Sequence, residues 1–194
     1  KLMVIFRGIN LEYFNSKNVS EKKINDLIQN WNINKNNFII LLPGRLTKWK
    51  GQEMFIEALN LLIENHHKDN FHAIILGSDQ GRNLYSKKLF LLVERHRLSK
   101  KITFIKNSKE MPVAYKVADV VISSSIEPEA FGRVAVEAQA MDTPIVASDL
   151  GGSKETVLNG KSGLLFKSNN PKELASIINK FMEMNKESLN LMGK

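Results

Sequence analysis

Ala118-Asp119-Val120-Val121-Ile122-Ser123-Ser124 and, four residues on, Glu129-Ala130-Phe131-Gly132-Arg133-Val134-Ala135-Val136-Glu137 decide how this chain folds. The first segment is an apolar run that exits into small polar residues, as a strand buried on both faces does. In the second, Val134, Ala135 and Val136, followed by Ala138 and Ala140, suit a well-packed helix, expected over Glu129 to Met141. With both glutamates on that helix, eight residues give about 12 Å of rise and roughly 80° of net rotation, which keeps the carboxylates on one side. One then sits at the positive helix end and the other well down its flank.

Working outward, apolar runs alternate with helical periodicity along the chain, which argues for a doubly wound α/β domain with a parallel sheet. Phe38 to Leu42 reads as a strand ending at Pro43-Gly44. Gln52 to Glu64 reads as a helix with Phe55, Ile56, Leu59, Leu62 and Ile63 inward. Phe71 to Leu76 is the next strand, and Leu84 to Leu98 a helix carrying Leu84, Leu91, Leu92 and Leu98. A strand at Ile102 to Ile105, a short helix at Met111 to Val117 and strands at Asp119 to Ser123, Ile145 to Ser148 and Gly163 to Phe166 complete the pattern. Asn170-Pro171-Lys172-Glu173 opens a helix, with Asn170 as cap and Pro171 in the first turn. At the start, residues 1 to 16 carry a strand and an Arg7-Gly8-Ile9-Asn10 turn before a basic helical segment, Glu21 to Gln29. Both ends look unfinished, as for one domain excised from a longer protein.

The chain's 194 residues, 43% of them hydrophobic, suffice for one ordinary core. With no cysteine, disulfides and thiolate zinc sites are excluded, and a reducing, cytoplasmic compartment is expected. No apolar run approaches the roughly 18 residues needed to span a bilayer. The net charge of +8 comes mainly from scattered lysines without interleaved aromatics, so a solvated basic surface is expected. Peripheral contact with an anionic membrane face ranks next and nucleic acid last. His66-His67 point in different directions on a helix, His72 and His96 stand alone, and Ser123-Ser124-Ser125 lacks the G-x-S-x-G elbow.

Open α/β sheets bind ligands beyond the carboxyl ends of their strands. Three stretches fall there. In Pro43 to Gly51, Gly44 lets the backbone approach a ligand while Arg45 and Lys50 supply a fork and a point charge for phosphate; the alternative is a plain basic loop with Trp49 as a packing anchor. Gly77 to Arg82 is a weak glycine pattern that reads as a turn. At the Glu129–Glu137 turn, free N–H groups near Phe131, Gly132, Arg133 and Val134 make an anion seat; the alternative is two glutamates on an exposed face. Asp149-Leu150-Gly151-Gly152 reads first as a strand-ending turn, though its glycines also lie at the ligand edge. Acidic groups on either side of an anion seat suit an elongated ligand such as a nucleotide-sugar.

As a set, Gly44-Arg45-Leu46 with Lys50-Gly51, Pro112 with Ala118-Asp119-Val120, Glu127 to Ala138, Thr143 to Ser148 and Gly151-Gly152 with Glu155 resemble family 4 (group 1) glycosyltransferases over about residues 1 to 182. Arg7-Gly8-Ile9-Asn10 resembles the family's interdomain crossing, often written with Asp where Asn10 stands. The resemblance implies one half of a GT-B fold: residues 1–16 as the crossing segment and 17–194 as the Rossmann-like donor domain, with an acceptor-binding half absent from this chain. It also implies a nucleoside-diphosphate sugar as donor and a glycan or glycolipid acceptor of capsular or lipopolysaccharide type.

By that resemblance Arg45 and Lys50 clamp the diphosphate and Glu129 holds hydroxyls of the transferred sugar. Amides from Phe131 to Val134 meet sugar and phosphate, Glu137 accepts from the ribose, and Lys106 and Asn107 flank the base. Lys106 departs from a common Gly, and Asp142 replaces a Gly at a helix end, a change that a left-handed Asp tolerates. Retaining transfer without a bound metal is implied, since no strand-end Asp-x-Asp is present. The isolated domain is expected to bind donor weakly and transfer nothing. Rival readings are an NDP-sugar 2-epimerase of GT-B type, a non-catalytic nucleotide-sugar-binding subunit and a basic nucleic-acid module.

Overall fold

The computed structural model describes Met3 and residues 7–81 and 83–193. The strand expected at the start falls on residues 1–6, outside the described residues except for Met3, as does Arg82 of the second candidate loop.

Among the described residues six strands form one parallel sheet: β1 (Phe38–Pro43), β2 (Phe71–Leu76), β3 (Ile102–Ile105), β4 (Val120–Ser123), β5 (Ile145–Ser148) and β6 (Gly163–Phe166). Their order is β3-β2-β1-β4-β5-β6, so the chain reverses its direction of travel across the sheet between β1 and β4. Side-chain alternation splits the core in two. Ile40, Leu42, Val120 and Ile122 face one apolar cluster, while Ile39, Leu41 and Val121 face the other. The first cluster is roofed by α2 (Gln52–His66), α3 (Asn83–Arg95) and α7 (Pro171–Glu183), the second by α1 (Glu21–Asn30), α4 (Met111–Val117) and α5 (Arg133–Ala140). Phe55, Ile56, Leu59 and Leu62 of α2 are fully buried, each contributing about 1.5–3 kcal/mol of apolar burial. The α6 turn (Ser153–Thr156) and α8 (Lys186–Gly193) complete the chain.

Three expected elements need correction. The helix expected from Glu129 begins at Arg133, because Gly132 adopts φ 75° at the N-cap and turns the preceding residues off the helix axis. Asp119 precedes β4 rather than opening it; its carboxylate accepts from the Ile39 N–H at 2.7 Å and burial raises its pKa. Helix α3 ends at Arg95, and its inner stripe is Ser86, Leu89 and Val93, leaving Leu84 and Leu91 exposed. Local features held elsewhere: Asn170 accepts from the Glu173 N–H, and Asp142 adopts φ 53° after α5. Residues 7–16 pack on the α4–α5 side, where Phe14 is buried edge-on against Tyr115 and Ser16 donates to Asp142.

Candidate active site

The chain leaves β1 toward α2 on one face and leaves β4 toward α5 on the other, which opens a crevice between the two connections. A cavity of about 590 Å³ occupies it, lined by Gly44, Arg45, Trp49 and Lys50 from the first loop and by residues 128–134 and Glu137 from the second. Two polar stitches hold the loops together. The Ser124 hydroxyl donates to the Lys50 carbonyl at 3.0 Å, and the Ile126 N–H donates to the Trp49 carbonyl at 2.8 Å. Gly51 has φ 70°, and a Cβ there would lie 2.0 Å from the Ser124 carbonyl oxygen, so this crossing admits only glycine.

Trp49 organises the cationic wall. The Lys50 ammonium sits 4.5 Å and the Arg45 guanidinium 5.7 Å from its ring centroid, within cation–π range. Lys50 also pairs with Glu129, Nζ to Oε1 at 2.7 Å, and the two side chains are only 12% and 13% exposed. Ser125 donates to the same Oε1. The pair joins the two loops across 79 positions of sequence, and no local spacing announces it. A lysine ammonium has three donors, so two remain for a ligand anion.

Glu137 is held differently. Arg133, one helical turn before it, donates from Nε at 3.0 Å and Nη2 at 2.6 Å to Oε1, while the Tyr115 hydroxyl donates to Oε2 at 2.6 Å. Glu137 is buried, and Tyr115 is fully buried with its pKa well above the ordinary tyrosine value, through burial first and the Glu137 charge second. Tyr115 therefore stays protonated and orients the carboxylate.

The amide-bearing tip at Phe131–Val134 is buttressed from behind. A Cβ on Gly152 would lie 2.6 Å from the Phe131 carbonyl carbon and one on Gly151 would lie 2.6 Å from the Glu129 oxygen, while the Gly152 N–H donates to that oxygen at 2.7 Å. These glycines thus back the ligand loop rather than face the cavity.

Arg45, Lys50, Glu129, Gly44, Phe131, Gly132, Arg133, Val134 and Glu137 therefore share one cavity. Lys106 and Asn107 do not join them. Lys106 lines a second cavity of about 400 Å³ with Gly77, Asp79 and Phe104, Asn107 is exposed, and Met111 and Tyr115 of α4 line the first cavity in addition. Tyr115 and Ser125 escaped sequence reading because nothing local marks them. Two of the four histidines have side-chain partners outside the cavity: His72 bonds Thr103 Oγ1 at 2.8 Å and His96 faces Glu57 at 3.1 Å. Among the described residues no three His, Asp or Glu side chains cluster to hold a metal ion, and no helix is long and apolar enough to cross a membrane.

The sequence model of the glycosyl transferases group 1 matches residues 23–194. An uncharacterised glycosyltransferase of Methanocaldococcus jannaschii is 34% identical over 177 residues, 90% of this chain and 43% of its own length. The crystal structure of a glycosyltransferase from Rickettsia africae superposes with a TM-score of 0.91 at 32% identity, over 98% of this chain and 50% of that one. The HepE protein of Anabaena, solved with UDP-glucose, gives 0.88 at 30% identity, over 98% and 50%. The chain belongs to the group 1 glycosyltransferases, with the parallel sheet of one half of the GT-B fold. It spans less than half the length of the Methanocaldococcus relative and half of each of the two solved chains.

Proposed function

We propose that this chain is the donor-binding half of a retaining glycosyltransferase that takes its sugar from a nucleoside-diphosphate sugar, with a UDP-sugar as the first donor to test. The observation that carries the proposal is convergence at one crevice: two cations, an amide-bearing helix tip and two carboxylates line a single cavity. The UDP-glucose complex of the Anabaena neighbour supports the donor class.

In this reading Arg45, Lys50 and the α5 tip hold the diphosphate. The Glu129 carboxylate, its Oε1 already shared by Lys50 and Ser125, presents Oε2 to hydroxyls of the transferred sugar. Glu137 takes ribose hydroxyls with the one lone-pair direction its partners leave open. As the glycosidic C–O bond breaks, the electron pair leaves with the diphosphate. The nearby cations and amides then stabilise charge that is larger in the transition state than in the bound donor. The acceptor hydroxyl adds to the same face of C1, and its proton passes to a phosphate oxygen. Lys50 couples the two ends of this event, since one ammonium touches the sugar-binding carboxylate and points its other donors at the leaving group.

Residues 17–194 serve as the donor domain and 1–16 as the crossing to an acceptor-binding half. The acceptor is a cell-envelope glycan or glycolipid, and the lysine-rich surface favours an anionic membrane face. The test joins this chain to an acceptor-binding half, supplies UDP-glucose, and follows the product's anomeric proton by NMR. Retained configuration at C1 is the expected result, and inversion contradicts the mechanism. Donor alone gives UDP and free sugar under this reading; a C2-epimerised UDP-sugar would instead support the epimerase.

A further inference from the structure

We infer that Arg7, Asn10 and Arg133 form a second anion site beside the donor cavity, and that it takes a phosphate monoester carried by the acceptor. The inference rests on the donor reading above. A cavity of about 290 Å³ is lined by Arg7, Gly8, Ile9, Asn10, Phe14 and Arg133. Arg7 and Arg133 also line the 590 Å³ donor cavity, so the two spaces share these guanidinium groups as a common wall.

The donor diphosphate does not use up this charge. Under that reading the diphosphate is held by Arg45, Lys50 and the backbone N–H groups of the α5 tip, which leaves the Arg7 side chain and the free edge of the Arg133 side chain unassigned. Arg7 is exposed, and its side chain has no hydrogen-bond or ion-pair partner among the described residues. Arg133 spends Nε and Nη2 on Glu137, yet its side chain remains 63% exposed with Nη1 to spare. Glu137 lies on the inner side of Arg133, so the outer edge of the guanidinium remains available to an external anion.

Asn10 sharpens the argument. Its Oδ1 accepts from the N–H groups of Glu12 at 2.9 Å and Tyr13 at 3.1 Å, which fixes the amide and leaves Nδ2 as a donor. An Asp here, the residue the family resemblance leads one to expect, would make the same turn while placing a negative charge in the cavity. Asn keeps the turn and removes that charge. One whole guanidinium fork, the free Nη1 edge of a second and one amide donor suit a tetrahedral phosphate, which offers three oxygens, better than a carboxylate, which a single fork satisfies. Because the nucleoside diphosphate sugar has its anion held elsewhere, the phosphate here belongs to the second substrate.

The test is calorimetry on the 194-residue chain saturated with UDP, using glucose 6-phosphate, glucose and inorganic phosphate as probes. Glucose 6-phosphate is expected to bind with a Kd on the order of 1 mM, and glucose to give no heat. Arg7→Ala and Asn10→Asp should each weaken it about tenfold or more, the loss expected for a charge-assisted hydrogen bond. Asn10→Asp retains the oxygen that caps the turn, so an unchanged circular dichroism spectrum separates a lost site from a lost fold. Wild-type affinity in both variants, displacement of UDP by glucose 6-phosphate, or equally tight binding of inorganic phosphate would each overturn the assignment. Failure of UDP itself to bind defeats the donor reading; UDP binding without glucose 6-phosphate binding defeats this inference alone.

Discussion

Glu129 and Glu137 line the same cavity, yet the molecule holds the two carboxylates by different means. Glu137 takes its partners from its own helix and from the helix packed beside it, so its position is set when the core forms. Glu129 sits in a loop and is fixed by Lys50 from another loop and by Ser125 nearby. One end of the site is therefore part of the fold, and the other is an ion pair between two connections. Under the proposed donor reading, the rigid Glu137 side would hold the ribose. Under the same reading, the ion-paired Glu129 side would let Lys50 respond when charge moves onto the departing phosphate.

That contrast implies a graded set of outcomes. Arg45 is exposed, and among the described residues its side chain is partnered by the Trp49 ring, so Arg45→Ala should leave thermal stability unchanged. In an enzyme carrying both halves it should nonetheless lower turnover by about 10²–10³-fold, as loss of an oxyanion donor does. Undiminished turnover would remove Arg45 from charge stabilisation. Glu137→Ala should act on the fold instead, costing about 2 kcal/mol and about 4–8 °C in Tm by strip-out of two partners' acceptor, a figure kept low because Arg133 can turn to solvent. A Tm equal to wild type would show that the ribose end is not built into the core.

Tyr115→Phe should cost about 1 kcal/mol in urea unfolding, since Glu137 keeps Arg133. The same substitution has a pH signature. Between the ordinary tyrosine pKa of about 10 and its higher folded value, the unfolded chain loses a proton that the folded chain keeps. Wild-type stability should thus fall as pH rises above about 10, and Tyr115→Phe should flatten that fall. Ser125→Ala should be smallest, within about 0.5 kcal/mol in stability, because Glu129 retains Lys50. A larger loss would mean that Glu129 depends on the fold as Glu137 does.

Sequence showed most clearly what depends on local patterning. Continuous apolar runs marked all six strands because parallel strands covered on both faces carry apolar side chains throughout, and Asn170 marked the start of α7 because capping is a contact within three residues. The start of α5 was misread because Glu129-Ala130-Phe131 is acceptable helix sequence, and only the left-handed Gly132 interrupts it. The phase of α3 was misread because Leu84 and Leu91 are as apolar as Leu89, and burial is decided by the sheet beneath. In the site, Arg45, Lys50, Glu129 and Glu137 could be picked out by residue type at strand ends. Their mutual arrangement could not, because Lys50–Glu129 and Tyr115–Glu137 are contacts between separate βα units that only the strand order brings together. Lys106 and Asn107 follow edge strand β3, so the strand order sets them apart from the cavity at the β1–β4 crevice, and Lys106 lines the neighbouring one.

In the proposed reading a cationic loop and a helix tip hold a diphosphate in a cavity that two carboxylates also line. Calorimetric titration of this chain with UDP, UMP and uridine tests it most directly. UDP should bind about tenfold or more tightly than UMP, with that margin lost in Arg45→Ala, because the second phosphate meets charge-assisted donors. Equal affinity for UDP and UMP, or a margin untouched by removing Arg45, would contradict the account.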